Sequence, residues 1–103
     1  MKSHDDILER AELLNTIRAL LIKYRAQSAI LFGSYARNEA DGGSDIDVLV
    51  IGGSAFESTD VFSLADDLHR ATHKAVDVYE LCEIDRESHF YQTILREGVH
   101  IAA

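Results

Sequence analysis

The seven residues from Asp45 to Ile51 constrain the fold more than any other segment. They read DIDVLVI, so two acids open a run that becomes wholly apolar, and Gly52 and Gly53 follow it directly. A strand that is apolar on both faces is typical of the centre of a sheet covered on both sides. The segment therefore predicts a layered protein whose central strand carries carboxylates where it begins.

The spacing of apolar residues predicts the helices around this strand. A stripe at spacings of three and four predicts a first helix from Asp5 to about Tyr24, capped by Asp5 or Asp6. A second helix, capped by Ser58 or Thr59, places one apolar face at Val61, Phe62, Ala65, Leu68 and Thr72. A last helix is expected over 83–97, with Gly98 as a left-handed residue that ends it.

Alternating or continuous apolar runs predict three further strands, at 29–32, 75–81 and 99–102. One or two helical turns are expected at 34–38, and the polar segment 39–44, which contains two glycines, is expected to be a loop. The predicted fold class is α/β (α+β), with a mixed sheet of three to four strands flanked by about four helices. Since there is no repeat or linker, all elements are expected to form a single domain over residues 1–103.

Composition limits the partners and the compartment. The chain has 103 residues and a formal net charge of −8, so a bare phosphate backbone would be repelled, and direct nucleic-acid binding is not expected. A nucleoside triphosphate remains possible because a divalent cation can bridge it to carboxylates. The sequence contains no apolar run long enough to span a membrane and begins without a basic, apolar leader. With a single cysteine, Cys82, expected to be a small buried filler, we expect a cytoplasmic protein.

Three acidic residues and a glycine turn carry the candidate chemistry. Gly33-Ser34 ends the 29–32 strand, where backbone N–H groups and a hydroxyl can bind an anion. Asp45 and Asp47 lie two residues apart, so a strand would place both carboxylates on one face. Asp77 stands between two valines in the 75–81 strand. If that strand is a neighbour of the central one, three carboxylates meet beside a phosphate-binding turn, which is the oxygen-rich setting that Mg²⁺ prefers.

The combined pattern carries a family resemblance. The segment LFGSYARNEADGGSDIDVLV contains Gly33-Ser34, ten intervening residues and Asp45-Ile46-Asp47. It resembles the signature of the DNA polymerase beta-like nucleotidyltransferases. The segments AVDVYEL and REGVHIA further resemble the minimal nucleotidyltransferases (MNT) encoded beside HEPN-domain proteins, which act as antitoxins.

The resemblance implies a role for each matching residue. Gly33 and Ser34 would contact the triphosphate. Asp45 and Asp47 would bind two Mg²⁺ ions. Asp77 would complete one metal site and help activate the acceptor hydroxyl. ATP would be the substrate and AMP the transferred group. The partner would be a HEPN ribonuclease toxin in a hetero-oligomer, with a tyrosine hydroxyl as the acceptor.

Two neighbouring positions leave choices open. Arg37 matches a commonly basic position and could contact a phosphate or tie the 39–44 loop to the preceding turn. Asn38 departs from the glycine found in many relatives, but asparagine tolerates a positive φ, so the turn is expected to survive.

Two other functions stay open beside adenylyl transfer to a toxin. The chain could be a non-catalytic module that masks a toxin by binding it. It could also transfer a nucleotide to a small molecule. That reaction needs a pocket from a second domain or subunit, and we expect no second domain in a chain of this length.

Overall fold

The computed structural model describes residues 8–103, which form a four-stranded mixed sheet with helices on both faces. The strands are β1 (Ser28–Phe32), β2 (Ile46–Ile51), β3 (Val76–Glu80) and β4 (Val99–Ala102). The α-helices are α1 (Arg10–Lys23), α2 (Asp60–Thr72) and α3 (His89–Glu97), and a short 3₁₀ helix covers Leu81–Glu83. The predicted element order and mixed sheet are confirmed. In the described part of the chain there are three α-helices where about four were expected, because the segment 34–38 forms turns, and the 3₁₀ helix was not predicted.

The sheet order is β3-β2-β1-β4, and β2 lies at the centre as its apolar run predicted. Strand β1 pairs antiparallel with both β2 and β4, whereas β2 and β3 run parallel. A parallel pair needs a crossover connection, and α2 supplies it. The first residues of β2 and β3 therefore lie side by side at one end of the sheet.

Alternation along the strands divides the core into two clusters. The larger cluster lies between the sheet and the pair α1 and α2; its strand residues are Ala29, Leu31, Ile46, Val48, Val50 and Ile101. The smaller cluster lies on the other face and joins Ile30, Phe32 and Leu49 to Ile94 of α3. Asp47 occupies the same face as Leu49, because successive residues of a strand alternate. The candidate site therefore opens on the face that α3 covers only in part.

The first helix begins later than predicted. It starts at Arg10, and Glu9 precedes it with an extended backbone (φ −70°, ψ 130°). Leu8 is buried, and its N–H donates to the hydroxyl of Tyr35 at 3.5 Å, so a tertiary contact draws this residue away from the helical path. The expected caps, Asp5 and Asp6, lie outside the described residues.

The last helix also begins later than predicted, at His89 rather than Glu83. The Ser88 hydroxyl caps it by accepting from the N–H of Tyr91 at 3.1 Å. The left-handed conformation expected at Gly98 is wrong, because this residue is extended (φ −75°, ψ 156°). Glycine is needed there for space: a Cβ atom would overlap the side chain of Ile30 and lie 2.5 Å from the carbonyl oxygen of Ile94.

Three single residues differ from expectation. Thr59 does precede α2, but its side chain makes no capping hydrogen bond. Phe62 was placed on the buried face of α2, yet it is 76% exposed. Cys82 is exposed in the 3₁₀ helix rather than buried. None of the helices within residues 8–103 has the length and apolarity needed to cross a membrane.

Candidate active site

The strand register brings the predicted acids together at one end of the sheet. Asp47 pairs with Asp77 across the parallel β2–β3 ladder and with Phe32 across the antiparallel β1–β2 ladder. Asp45 lies just before β2 and is exposed. The expectation that β3 neighbours the central strand is confirmed, and it places Asp77 directly beside Asp47.

The glycine turn lies against the Asp47 carboxylate. Gly33 follows β1 with φ +74°, a left-handed conformation that a side chain disfavours. A Cβ atom at this position would overlap Oδ2 of Asp47 and lie 3.2 Å from its carboxyl carbon. The absence of a side chain therefore lets the turn and the carboxylate touch, so an anion held by the turn would lie next to a cation held by Asp47.

The segment 34–38, where one or two helical turns were expected, contains one helical i→i−4 hydrogen bond. The N–H groups of Ala36 and Arg37 donate to the carbonyl of Gly33 at 3.1 and 3.2 Å, and residues 34–38 form turns without a regular helix. Asn38 ends the segment at φ 58°, which confirms the expected tolerance of asparagine there. Anion binding at this turn would depend on its individual N–H groups and the Ser34 hydroxyl, and a long helix dipole is not available.

The surroundings of Asp47 disfavour the ionised form of its carboxyl group. Its pKa is raised from 3.8 to about 6, first by burial and then by the negative charges of Asp77 and Asp45, while Arg37 acts weakly in the opposite direction. Burial and like charges both disfavour the ionised form of a carboxyl group. A cation at this position would relieve both effects, so the electrostatics favour metal binding.

The donor set fits Mg²⁺ that arrives with a phosphate-bearing substrate. Among residues 8–103, no three Asp, Glu, His or Cys side chains form a ready-made metal-binding group. Mg²⁺ in phosphate chemistry takes one or two carboxylates and completes its coordination with water and substrate oxygens. The adjacent carboxylates of Asp47 and Asp77, with Asp45 nearby, can supply those one or two carboxylate ligands.

Arg37 is tied to acidic side chains on two segments. Its Nε lies 2.9 Å from Oε2 of Glu39, and its Nη1 lies 3.5 Å from Oε2 of Glu97 in α3. The contact with Glu39 agrees with the interpretation that Arg37 ties the following loop to the turn. Both contacts are partly exposed, so each contributes little to stability and can be exchanged for another anion.

The loop before Asp45 is held by a residue that the sequence analysis did not single out. Lys74 is only 3% exposed, and its Nζ donates to the carbonyl of Gly42 at 2.7 Å. Asp41 and Ser44 close the loop tip, since the Ser44 hydroxyl accepts from the N–H of Asp41 at 2.8 Å. A lysine two residues before a strand gives no periodic signal, so only the fold reveals this contact.

A cavity of about 300 Å³ opens beside the carboxylates. Gly33, Arg37 and Asp47 form one part of its wall. The rest comes from residues that the sequence analysis did not assign to a site: Phe32, Tyr79, Phe90, Thr93, Ile94 and Glu97. Tyr79 could have been found from its position two residues after Asp77, which places both on one strand face. The α3 residues could not have been found from the sequence, because they reach the site only through tertiary packing.

The fold, the Gly33 turn and the paired acids together define a nucleotidyltransferase. Residues 15–103 match the family model described as Polymerase beta, Nucleotidyltransferase. The chain therefore belongs to the polymerase beta nucleotidyltransferase family, and it is an enzyme of that class. This confirms the resemblance from the sequence motif.

Individual relatives narrow the comparison. A protein of Methanocaldococcus jannaschii, named provisionally as a protein adenylyltransferase, is 40% identical over 67 residues, which cover 65% of this chain and 72% of that protein. A chain in a toxin–antitoxin structure with AMP-PNP superposes with a TM-score of 0.72 at 27% identity, covering 84% of this chain and 70% of that one. A complex of tri-AMPylated Shewanella oneidensis HEPN toxin with MNT antitoxin gives a TM-score of 0.68 at 24% identity, with 89% and 71% coverage, and shows a shared fold.

Proposed function

We propose that this chain is a Mg²⁺-dependent protein adenylyltransferase. It transfers AMP from ATP to a tyrosine hydroxyl of a HEPN ribonuclease toxin and thereby acts as an antitoxin. The observation that carries the proposal is the contact between the Gly33 turn and Asp47, with Asp77 paired beside it. This contact supports the proposal because transfer of a phosphate-linked group requires a phosphate site and a cation site side by side.

In the proposed reaction, the Gly33 turn and the Ser34 hydroxyl hold the triphosphate. Asp45 and Asp47 would hold Mg²⁺, and Asp77 would help to hold it. Bound Mg²⁺ would supply neutralisation of the charge that develops on the phosphate oxygens. The acceptor oxygen attacks the α-phosphorus, the bond from that phosphorus to the β-bridging oxygen breaks, and pyrophosphate leaves. Asp77, which is exposed beside Asp47, is positioned to take the hydroxyl proton.

The nature of the acceptor is inferred from the relatives. The M. jannaschii relative carries a protein adenylyltransferase name, and the 27% identical structural neighbour belongs to a toxin–antitoxin complex that contains AMP-PNP. Both support a protein acceptor and an adenine nucleotide. The cytoplasmic location stays a prediction from the sequence.

Intact-mass spectrometry tests the proposal directly. The protein is expressed with the HEPN-type chain encoded beside it, and the complex is incubated with Mg²⁺ and ATP. We expect an adenylyl increment on the partner, and Asp47→Asn should reduce its rate of appearance by about 100-fold or more. Asp66→Asn, an exposed acid of α2, is the matched control and should leave the rate unchanged. An unchanged rate in the Asp47 variant would overturn the assignment of Asp47.

The two other functions predict different results. A masking module would form a stable complex with no increment from any nucleoside triphosphate, and an Asp45→Asn, Asp47→Asn double variant would still protect cells from the partner. Transfer to a small molecule would release pyrophosphate only when a small hydroxyl compound is added. Either pattern would contradict transfer to a toxin.

A further inference from the structure

We infer that the cavity beside Asp47 is the nucleobase subsite, in which the base of the nucleoside triphosphate packs on the rings of Tyr79 and Phe90. The inference rests on the proposed function, since it assigns the part of the same substrate that the phosphate turn and the carboxylates do not bind.

Three aromatic rings form the apolar part of this cavity. The ring centroids of Phe32, Tyr79 and Phe90 lie 5.6 to 5.9 Å apart, and Phe90 meets the other two edge to face. Such mutual contacts hold the rings in defined orientations. The rings come from three separate elements, β1, β3 and α3, so the fold assembles this cluster.

Two of these rings remain open to solvent. Tyr79 is 39% exposed and Phe90 is 44% exposed. Apolar surface of this kind is costly to leave in water, and a cluster of it inside a concave site is typical of ligand binding. Phe62 on α2 is more exposed still, at 76%, but it takes part in none of these ring contacts and does not line the cavity.

The position and charge of the cavity select the base over the other parts of the substrate. Gly33 and Asp47 belong to its wall, so a molecule whose phosphates lie at the turn can reach the rings. The cation in this wall, Arg37, is already paired with Glu39 and Glu97, so the cavity offers a phosphate little free positive charge, whereas a base is neutral and flat. At about 300 Å³, the volume lies at the small end of ligand sites and suits a nucleoside-sized group.

Calorimetric titrations separate the base from the phosphates. The full chain is titrated, in Mg²⁺, with a non-hydrolysable ATP analogue and with inorganic tripolyphosphate. Loss of one aromatic stacking partner weakens nucleic-acid base binding by about 5- to 150-fold, so Phe90→Leu should weaken binding of the analogue by about that factor and leave tripolyphosphate binding unchanged. Phe90→Tyr keeps the ring and should restore the affinity. Phe62→Leu is the matched control and should affect neither titration.

The outcomes distinguish this inference from the proposed function. If the unmodified chain binds neither compound, the proposed function fails. If it binds both with equal affinity, or if Phe90→Leu leaves analogue binding unchanged, the nucleobase subsite is refuted while the nucleotidyltransferase assignment stands. An acceptor ring in the cavity would appear as unchanged analogue binding with a raised KM for the partner protein, which also refutes the inference.

Discussion

Asparagine at position 47 should make the metal-free protein more stable while it removes the proposed activity. The rise in the Asp47 pKa from 3.8 to about 6 means that the folded protein disfavours the ionised carboxyl. At about 1.4 kcal/mol per pH unit, this corresponds to about 3 kcal/mol. The side chain is only partly buried, so screening by water reduces the figure to about 1–2 kcal/mol. Asp47→Asn should raise the free energy of unfolding at neutral pH by this amount, or the midpoint temperature by about 5–10 °C.

The stability difference between Asp47→Asn and the unmodified chain should depend on pH. The folded-state pKa of Asp47 is above the unfolded value, so the unfolded chain gives up this proton more readily, and stability falls as pH rises from about 4 to about 6. The stability difference between Asp47→Asn and the unmodified chain should therefore be near zero at pH 4 and reach its full size above pH 6. Urea unfolding at pH 4, 5 and 7.5 measures it, with Asp66→Asn as the control on an exposed α2 carboxylate. A difference that is independent of pH, or a variant that is less stable at pH 7.5, would refute the electrostatic argument.

Mg²⁺ should offset most of the stability advantage of the Asp47→Asn variant. A cation that binds only the folded state stabilises it, by about 1.4 kcal/mol at ten times its dissociation constant. Because Asp47 is a proposed ligand, thermal melts should show a Mg²⁺-dependent rise for the unmodified chain and a much smaller one for Asp47→Asn. Equal rises in both proteins would mean that Mg²⁺ does not bind at Asp47.

Three further substitutions test the geometry. Gly33→Ala should destabilise the fold by at least about 1–2 kcal/mol because Gly33 has a φ of +74°. It should also weaken the binding of a Mg²⁺–ATP analogue, because the added Cβ atom would displace Asp47. An unchanged affinity in calorimetric titration would contradict the proposed contact. Gly98→Ala should cost about 1–3 kcal/mol in urea unfolding through steric overlap alone, whereas Gly43→Ala, where the nearest atom is 3.6 Å away, should be close to neutral. Tyr24→Phe removes a 2.5 Å hydrogen bond to the carboxylate of Asp67 in α2 and should lower stability by about 1 kcal/mol in thermal melts. An unchanged stability would show that the contact between α1 and α2 does not depend on this hydrogen bond.

The pattern of a few consecutive residues was sufficient to predict the strands and the acidic residues at the start of the central strand. The run from Ile46 to Ile51 is a central strand because every residue after Asp47 is apolar, and burial on both faces requires that composition. The expectation that Asp45 and Asp47 share a face follows from the strand period. The positive φ of Asn38 follows from the chemistry of its own side chain. Each of these properties depends on a few consecutive residues, so the amino-acid sequence alone specifies it.

The packing of α3 against the sheet could not be predicted from short sequence patterns. It decides that Gly98 is extended, because the constraint there is the nearby Ile30 side chain and not the backbone torsion of a helix end. It also brings Phe90 and Glu97 to the edge of the Asp47 cavity, although both follow Asp47 in the sequence by more than forty residues. Such contacts join residues distant in sequence through the summed packing of many side chains. The chemistry of the phosphate end can therefore be predicted from the sequence, whereas the aromatic wall beside it exists only once β1, β3 and α3 have come together.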